Sequence, residues 1–412
     1  MNKSTAPHFA DAPSALRSDF QLISLIGVAH MVSHFSQLVL PPLFPWIKDS
    51  LQVSYAQLGV LMSIFFVVSC IVQTLSGFAV DKFGPRPILF AGLSCLVFAN
   101  WGYSMSNEYG QMVFCSFLAG VGNGVFHPVD YTLLNKKVSS PRLGHAYSIH
   151  GITGSLGWAL APALMVPIAV AYSWHAALFT AGTIGFVVLV IVFFKREMLD
   201  LGSHSAVSPK AIEQGARPVE GAFYFLKIPV VWVCFGFFFF YSMALSIIQA
   251  YAPEAVRHLQ NVPLSVTASC LTLYMICSAC GMFLGGFLAT NPNRAERVVG
   301  AAFLLAGCLS LSFIFTQLVG WQVLVVFALM GLISGSASPS RDLLVKKSAP
   351  DNATGRIYGV VYSGLDIGQA LSAFVFGVLM DHQNFVAVIV GLSCLQAVLV
   401  FGAFNVKRAK RS

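Results

Sequence analysis

An ionisable side chain inside an apolar stretch costs a few kcal/mol to bury, so each one is a candidate for function. His30 and His34 stand four residues apart, which on a helix puts both rings on one face. Imidazole changes charge near neutral pH, and the pair is suited to binding a proton or touching a solute. Such a pair can also chelate a metal, but no intramembrane thiolate or glutamate completes an evident set, so neither a metal site nor a cofactor is expected. His127 and Asp130, three apart, can form a hydrogen-bonded pair; alternatively Asp130 lies at the membrane interface and balances Lys136 and Lys137. His150 is either a partner of His127 or an interfacial histidine. Asp366 is the sharpest candidate, because no Lys or Arg stands near it in its apolar run, and such a carboxyl is suited to reversible proton binding. Tyr241 and Gln249 are polar positions suited to a cavity wall, and Gln37 joins the proton or solute candidates.

The elements that must carry these residues follow from composition. Of 412 residues, 57% are hydrophobic and 10% charged, whereas soluble domains carry about 25% charged residues. A membrane span needs about 20 apolar residues, and lipid admits only helices or a closed barrel. Continuous apolar runs such as Val230 to Ile248 lack a barrel's alternation. The fold class is therefore all-α, with spans predicted at 22–43, 55–80, 87–105, 111–134, 146–170, 175–194, 230–251, 266–289, 298–318, 321–345, 357–380 and 385–404. On these bounds His30 and His34 lie about 15 to 21 Å, and Asp366 about 16 Å, from the start of their helices. All nine cysteines fall within spans, which argues against a disulfide framework. Cys277 and Cys280 read as small packing residues rather than a redox pair. The first 20 residues lack the apolar core of a cleaved signal, so the first span is expected to act as an uncleaved anchor.

With an even number of spans both termini share one side, and basic residues mark the cytoplasmic side. Only Lys48 and Arg257, of 24 Lys and Arg, fall on the other face. The net charge of +8 is thereby explained by topology, without nucleic acid. Offsetting the chain by 211 positions aligns Gly120 with Gly331, Gly124 with Gly335, Pro128 with Pro339, Lys136 with Lys347, Tyr147 with Tyr358 and Gly157 with Gly368. Pro42 with Pro253 and Ser54 with Ser265 extend the match to the start of each half. Six spans separate the copies, so the halves are parallel repeats, an arrangement that in transporters puts the solute site between them. The same offset sets Arg341 opposite Asp130, inviting a bridge, although Asp342 can equally neutralise Arg341; Asp366 meets Ser155. The divisions are 1–194, a cytoplasmic linker at 195–229 that supplies length rather than chemistry, and 230–412.

The segment Gly77-Phe-Ala-Val-Asp81-Lys82-Phe-Gly84-Pro85-Arg86 resembles the signature loop of the major facilitator superfamily, with Gly77, Asp81, Lys82, Gly84 and Arg86 matching and Pro85 in place of a basic residue. The equivalent loop, Gly286 to Arg297, lacks the Asp. The resemblance implies a gating role for the motif, Asp81 clamping the start of helix eleven near Gly355 through the helix dipole. Within the superfamily, Gln37-Leu-Val-Leu-Pro41-Pro42 and Phe126-His127-Pro128 resemble the fosmidomycin-resistance branch of drug exporters. That branch is similar in having a His where His30 stands but usually has an acid where this chain has His34. No phosphate-binding loop is present, so an ion or solute gradient must supply the energy. The expectation is a proton-coupled exporter of a small drug-like or metabolite solute, acting as a monomer in the bacterial inner membrane. The alternative is a proton-coupled importer of a small organic anion, with Arg341 as the anion's partner. An intramembrane enzyme or receptor would need a catalytic dyad or a sensory domain, and neither is visible.

Overall fold

The computed structural model describes residues 13–201, 229–289, 294–348 and 354–409, without the side chains of 13–15, 140, 230, 342–362 and 406–409. Those residues contain no strand. The helices are α1 Pro13–Gln37, α2 Phe44–Leu51, α3 Tyr55–Phe83, α4 Pro85–Ser104, α5 Tyr109–Asn123, α6 Phe126–Lys137, α7 Leu143–Ala171, α8 Trp174–Phe194, α9 Pro229–Ala250, α10 Ala252–Gln260, α11 Leu264–Leu288, α12 Ala295–Phe315, α13 Gly320–Ser348, α14 Thr354–Asp381 and α15 Phe385–Ala409. Twelve segments among them are long and apolar enough to cross a membrane.

Fifteen helices make twelve spans because two spans are broken at prolines and the short α10, with Pro253 in its first turn, lies outside every span. Pro41, Pro42 and Pro45 mark the end of the first span in sequence, and α1 does stop at Gln37. Yet Pro41 and Pro45 stand at the starts of a 3-10 turn, Pro41–Leu43, and of α2, where a missing N–H costs nothing. The fourth span breaks between α5 and α6, where Pro128 cannot donate to the Gly124 carbonyl. Its repeat counterpart Pro339 sits inside an unbroken α13.

The repeat pairs have a packing reason. A Cβ on Gly120 or Gly124 would strike backbone oxygens of Phe65 and Ser69 on α3; one on Gly331 or Gly335 would strike those of Tyr274 and Ser278 on α11. Gly157 likewise presses on Met31 of α1, and Gly368 on Phe239 of α9. Equivalent glycines thus permit equivalent close crossings in each half. At the front of the halves the register differs from the 211 offset: α2 and α10 both end in a left-handed residue, Gln52 and Asn261, 209 positions apart. Ser54 caps α3 reciprocally with Gln57, whereas α11 starts at Leu264 after Pro263, so the Ser54–Ser265 match does not pair equivalent positions.

Two seams join the halves, α3 against α14 and α7 against α11. The α3–α14 seam is tightest at the end of the bundle away from the termini, hereafter the far end. There Asp381 accepts from the backbone N–H groups of Tyr55 and Ala56 at 2.7 and 2.8 Å, Ser63 Oγ donates to the Ala370 carbonyl at 2.6 Å, and Tyr251 donates to the Ala373 carbonyl. Toward the terminal end the same stripe of α3 opens: Thr74 and Asp81 are exposed, and nothing described lies within 4 Å of a Cβ placed on Gly77.

Candidate functional site

Three helices of the N-terminal half bring the singled-out histidines together. Gly154 and Gly157 thin the face of α7 where it crosses α1, leaving room for the rings of His30 and His34. The break before α6 places His127 and Asp130 on a segment directed at the same crossing. His30 and His150 stack at 3.6 Å between ring centroids, His34 lies 4.5 Å from His30, and His127 lies 5.3 Å from His30. Asp130 is fully buried between them: its Oδ2 is 3.1 Å from His30 Nδ1 and 3.1 Å from His150 Nε2. Only the His150 contact has hydrogen-bond geometry, and His30 Nδ1, His127 Nδ1, both nitrogens of His34 and Asp130 Oδ1 are buried without a hydrogen-bond partner.

This geometry corrects three sequence expectations. Asp130 bonds to His150 rather than to His127, three residues away, and it lies in the core rather than at an interface beside Lys136 and Lys137. His150 is accordingly a buried partner of Asp130. The bridge from Asp130 to Arg341 does not form: Asp130 faces its own half, and the Arg341 guanidinium stacks over Tyr241 at 4.4 Å and Phe238 at 5.4 Å in the other. Equivalence under the repeat gives two residues the same place in their halves, which is not contact. Asp342 and Gly355 lie outside the described side chains.

Beside the histidines is an amide network that a search for ionisable groups passes over. Asn123 Oδ1 accepts from Ser33 Oγ at 2.7 Å and Gln37 Nε2 at 3.0 Å, while its Nδ2 donates to Ser69 Oγ at 2.7 Å. Trp158 Nε1 donates to Gln37 Oε1 at 2.9 Å, and its ring packs on His34 at 4.6 Å. Gln37 was legible; the available signal for Asn123 was a single amide inside the apolar run Gly120-Val-Gly-Asn-Gly124.

Asp366 stands apart from this cluster. The hydrogen bonds of Ser63 with Ala370 and the packing of Gly59 against Ala373 run the two helices antiparallel, which brings Asp366 beside Cys70 of α3. It has no ion pair or hydrogen bond among the described residues. Ser155, its repeat counterpart, occupies the other seam and reaches Met282 Sδ of α11 at 3.7 Å. Tyr241 packs on Arg341 and Phe303. Gln249 is buried at the far end, in a small space between the halves lined by Pro41, Trp46, Val166 and Leu271.

In the signature segment, Gly84 adopts φ +82° and ends α3, a backbone conformation that favours glycine. Asp81 is exposed with no partner among the described residues, while Arg86 pairs with Asp200 at 3.1 Å. Lys137 Nζ donates to the carbonyls of Met198 and Asp200 at 2.8 and 2.6 Å, and Leu199 is buried. The first residues of the expected linker are therefore packed onto the N-terminal half; 202–228 lie outside the described residues.

Known proteins resemble this chain throughout its length. The chain is 23% identical over 381 residues to the fosmidomycin resistance protein of Escherichia coli (strain K12), covering 91% of this chain and 90% of that one. It is 24% identical over 288 residues to the hexuronate transporter of Bacillus subtilis (strain 168), covering 68% and 67%. In structure it is similar to a bacterial homolog of the human lysosomal transporter Spinster, solved in an inward-facing and occupied conformation, with TM-score 0.70, 12% identity and coverage of 95% and 96%. A family model described as Major Facilitator Superfamily matches residues 26–373. That match takes in the histidine cluster, the signature segment and most of both seams, so the chain belongs to the major facilitator superfamily and is a multi-pass membrane transporter, not an enzyme.

Proposed function

We propose that the protein is a proton-coupled secondary transporter that exports a small drug-like or metabolite solute across the bacterial inner membrane. In this reading it works as a monomer with cytoplasmic termini, its divisions at 1–194 and 230–412 rocking against each other about the linker 195–229. His30, His34, Gln37, His127, Asp130, Tyr241 and Arg341 form the set from which the solute and proton contacts are drawn, and Asp366 carries the coupling proton.

The observation that carries the reading is the position of Asp366 beside Cys70, where the stripe of α3 packed on α14 gives way to its exposed part at Thr74 and Asp81, with no fixed cation among the described residues beside it. Rocking the halves moves that fork along the seam and changes what surrounds the carboxyl, and a carboxyl whose surroundings change must change its proton or its partner. Export is supported by the full-length similarity to a protein named for drug resistance.

Reconstituted Asp366→Asn should lose accumulation driven by a pH gradient while keeping downhill solute exchange. Full gradient-driven transport by Asp366→Asn, together with its loss in His34→Gln, would move coupling to α1. Import of a small organic anion is the second reading, favoured by the Arg341 guanidinium over Tyr241 and by similarity to a protein named as a hexuronate transporter. Comparing accumulation in energised inverted vesicles with that in intact cells separates the two directions.

A further inference from the structure

We propose that His30, His127 and His150 bind a divalent first-row transition metal ion, with Zn2+ the ion of best fit, and that Asp130 supplies the compensating negative charge. One ring nitrogen from each histidine lies within 4.8 Å of the others. Three imidazoles with a carboxylate form a donor set suited to Zn2+, and Zn–N bonds of about 2.0 to 2.1 Å set the nitrogens roughly 3.4 Å apart, within reach of small ring rotations. The donors come from α1, α6 and α7, residues more than a hundred positions apart at the extremes, so only the folded half assembles them.

The unsatisfied atoms point the same way. Buried polar atoms are almost always paired, and an orphan calls for an unlocated water, an ion or a functional role. Here His30 Nδ1, His127 Nδ1 and Asp130 Oδ1 are orphaned in one place. Neighbouring donors are committed elsewhere: Asn123 to Ser69, Trp158 to Gln37, and Thr153 Oγ1 to the His150 carbonyl. A shared cation would satisfy several of these lone pairs at once. Asp130, with its Oδ2 3.1 Å from His30 Nδ1 and 3.1 Å from His150 Nε2, places its negative charge beside the ion. His127 is the least buried of the three and gives an ion its entry. Sequence alone offered only the His30–His34 pair; the fold substitutes His127 and His150 as the further donors.

This site is independent of the coupling role given to Asp366, and its test reads metal rather than transport. The purified full chain, stripped with chelator, is titrated with Zn2+ against a chromogenic chelator. One ion per chain is expected, with affinity lowered more than about tenfold in His127→Gln and in His150→Gln, since even outer partners of a metal site are worth about 10- to 100-fold. Gln substitutions at the exposed His145 and His382 should leave it unchanged. In the unaltered protein, Co2+ should give the visible absorption of a four-coordinate site, a readout that survives if a variant fails to fold. Absence of stoichiometric Zn2+ binding, binding unaltered in both cluster variants, or a spectrum of six-coordinate Co2+ would overturn the proposal and leave the orphaned atoms to water.

Discussion

Asn123 serves four side chains through one amide: it accepts from Ser33 and Gln37, donates to Ser69, and through Gln37 steadies Trp158. Asn123→Ala would leave the buried Ser33 hydroxyl and the half-buried Gln37 amide without their acceptor, at a cost of about 1 to 3 kcal/mol. A lower midpoint of thermal unfolding in detergent checks this; an unchanged midpoint would mean water replaces the amide. At this scale the sequence was legible in part. His30, His34, His127, Asp130 and Asp366 announce themselves because a titratable group in an apolar run is conspicuous. Their grouping is not legible, because the stack of His30 on His150 depends on how closely α7 approaches α1, which glycines on α7 decide. Asn123 is silent for a different reason: an uncharged amide scarcely disturbs the hydropathy of its span.

Element boundaries were read to within a few residues for most spans, since apolar runs and their flanking charges end together. Predictions failed at prolines, where one residue type ends a helix at Gln37, restarts one at Phe44, breaks one before Phe126 and is absorbed at Pro339. Hydropathy does not distinguish these outcomes, because the carbonyl one turn earlier must find another partner or bend away, and neighbouring helices decide which. The contact between α3 and α14 was likewise invisible in sequence at the far end. Asp381 closes α14 and meets the first two N–H groups of α3, where the helix dipole favours negative charge. Because the carboxylate is exposed, its removal should shift the facing equilibrium by only about 0.3 to 1 kcal/mol. Asp381→Ala should therefore expose the far end more often, read as faster alkylation of a cysteine placed at Gln249. Unchanged alkylation would mean the remaining contacts, Gly59 on Ala373 and the hydrogen bonds of Ser63 and Tyr251, hold that end closed.

Over the whole molecule, the imbalance of basic residues was the strongest sequence signal for orientation. One of its two exceptions is locally neutralised: Arg257 on α10 binds Glu254 at 2.6 Å, and that carboxylate raises the guanidinium pKa above its ordinary value. Cysteines replacing Lys82 or Lys136 should stay unreactive toward an impermeant thiol reagent added to intact cells and react in inverted vesicles. Reaction from outside would reverse the orientation of the entire bundle. The repeat also foretold parallel halves, although its register held only where close glycine crossings require it. A final consequence concerns Gly77, where no described atom lies within 4 Å of an added Cβ. The face of α3 that meets α14 behaves as a slide fastener, engaged from Gly59 to Cys70 and, among the described residues, parted below, and the opposite facing state requires the lower teeth to engage. A side chain at position 77 costs nothing while they are parted and obstructs them when they mesh. Gly77→Leu should therefore fold normally and still admit solute from the terminal side, yet cut turnover more than tenfold, because the stroke that offers the far side is blocked. Normal turnover in Gly77→Leu would mean that α14 never closes over this stretch of α3.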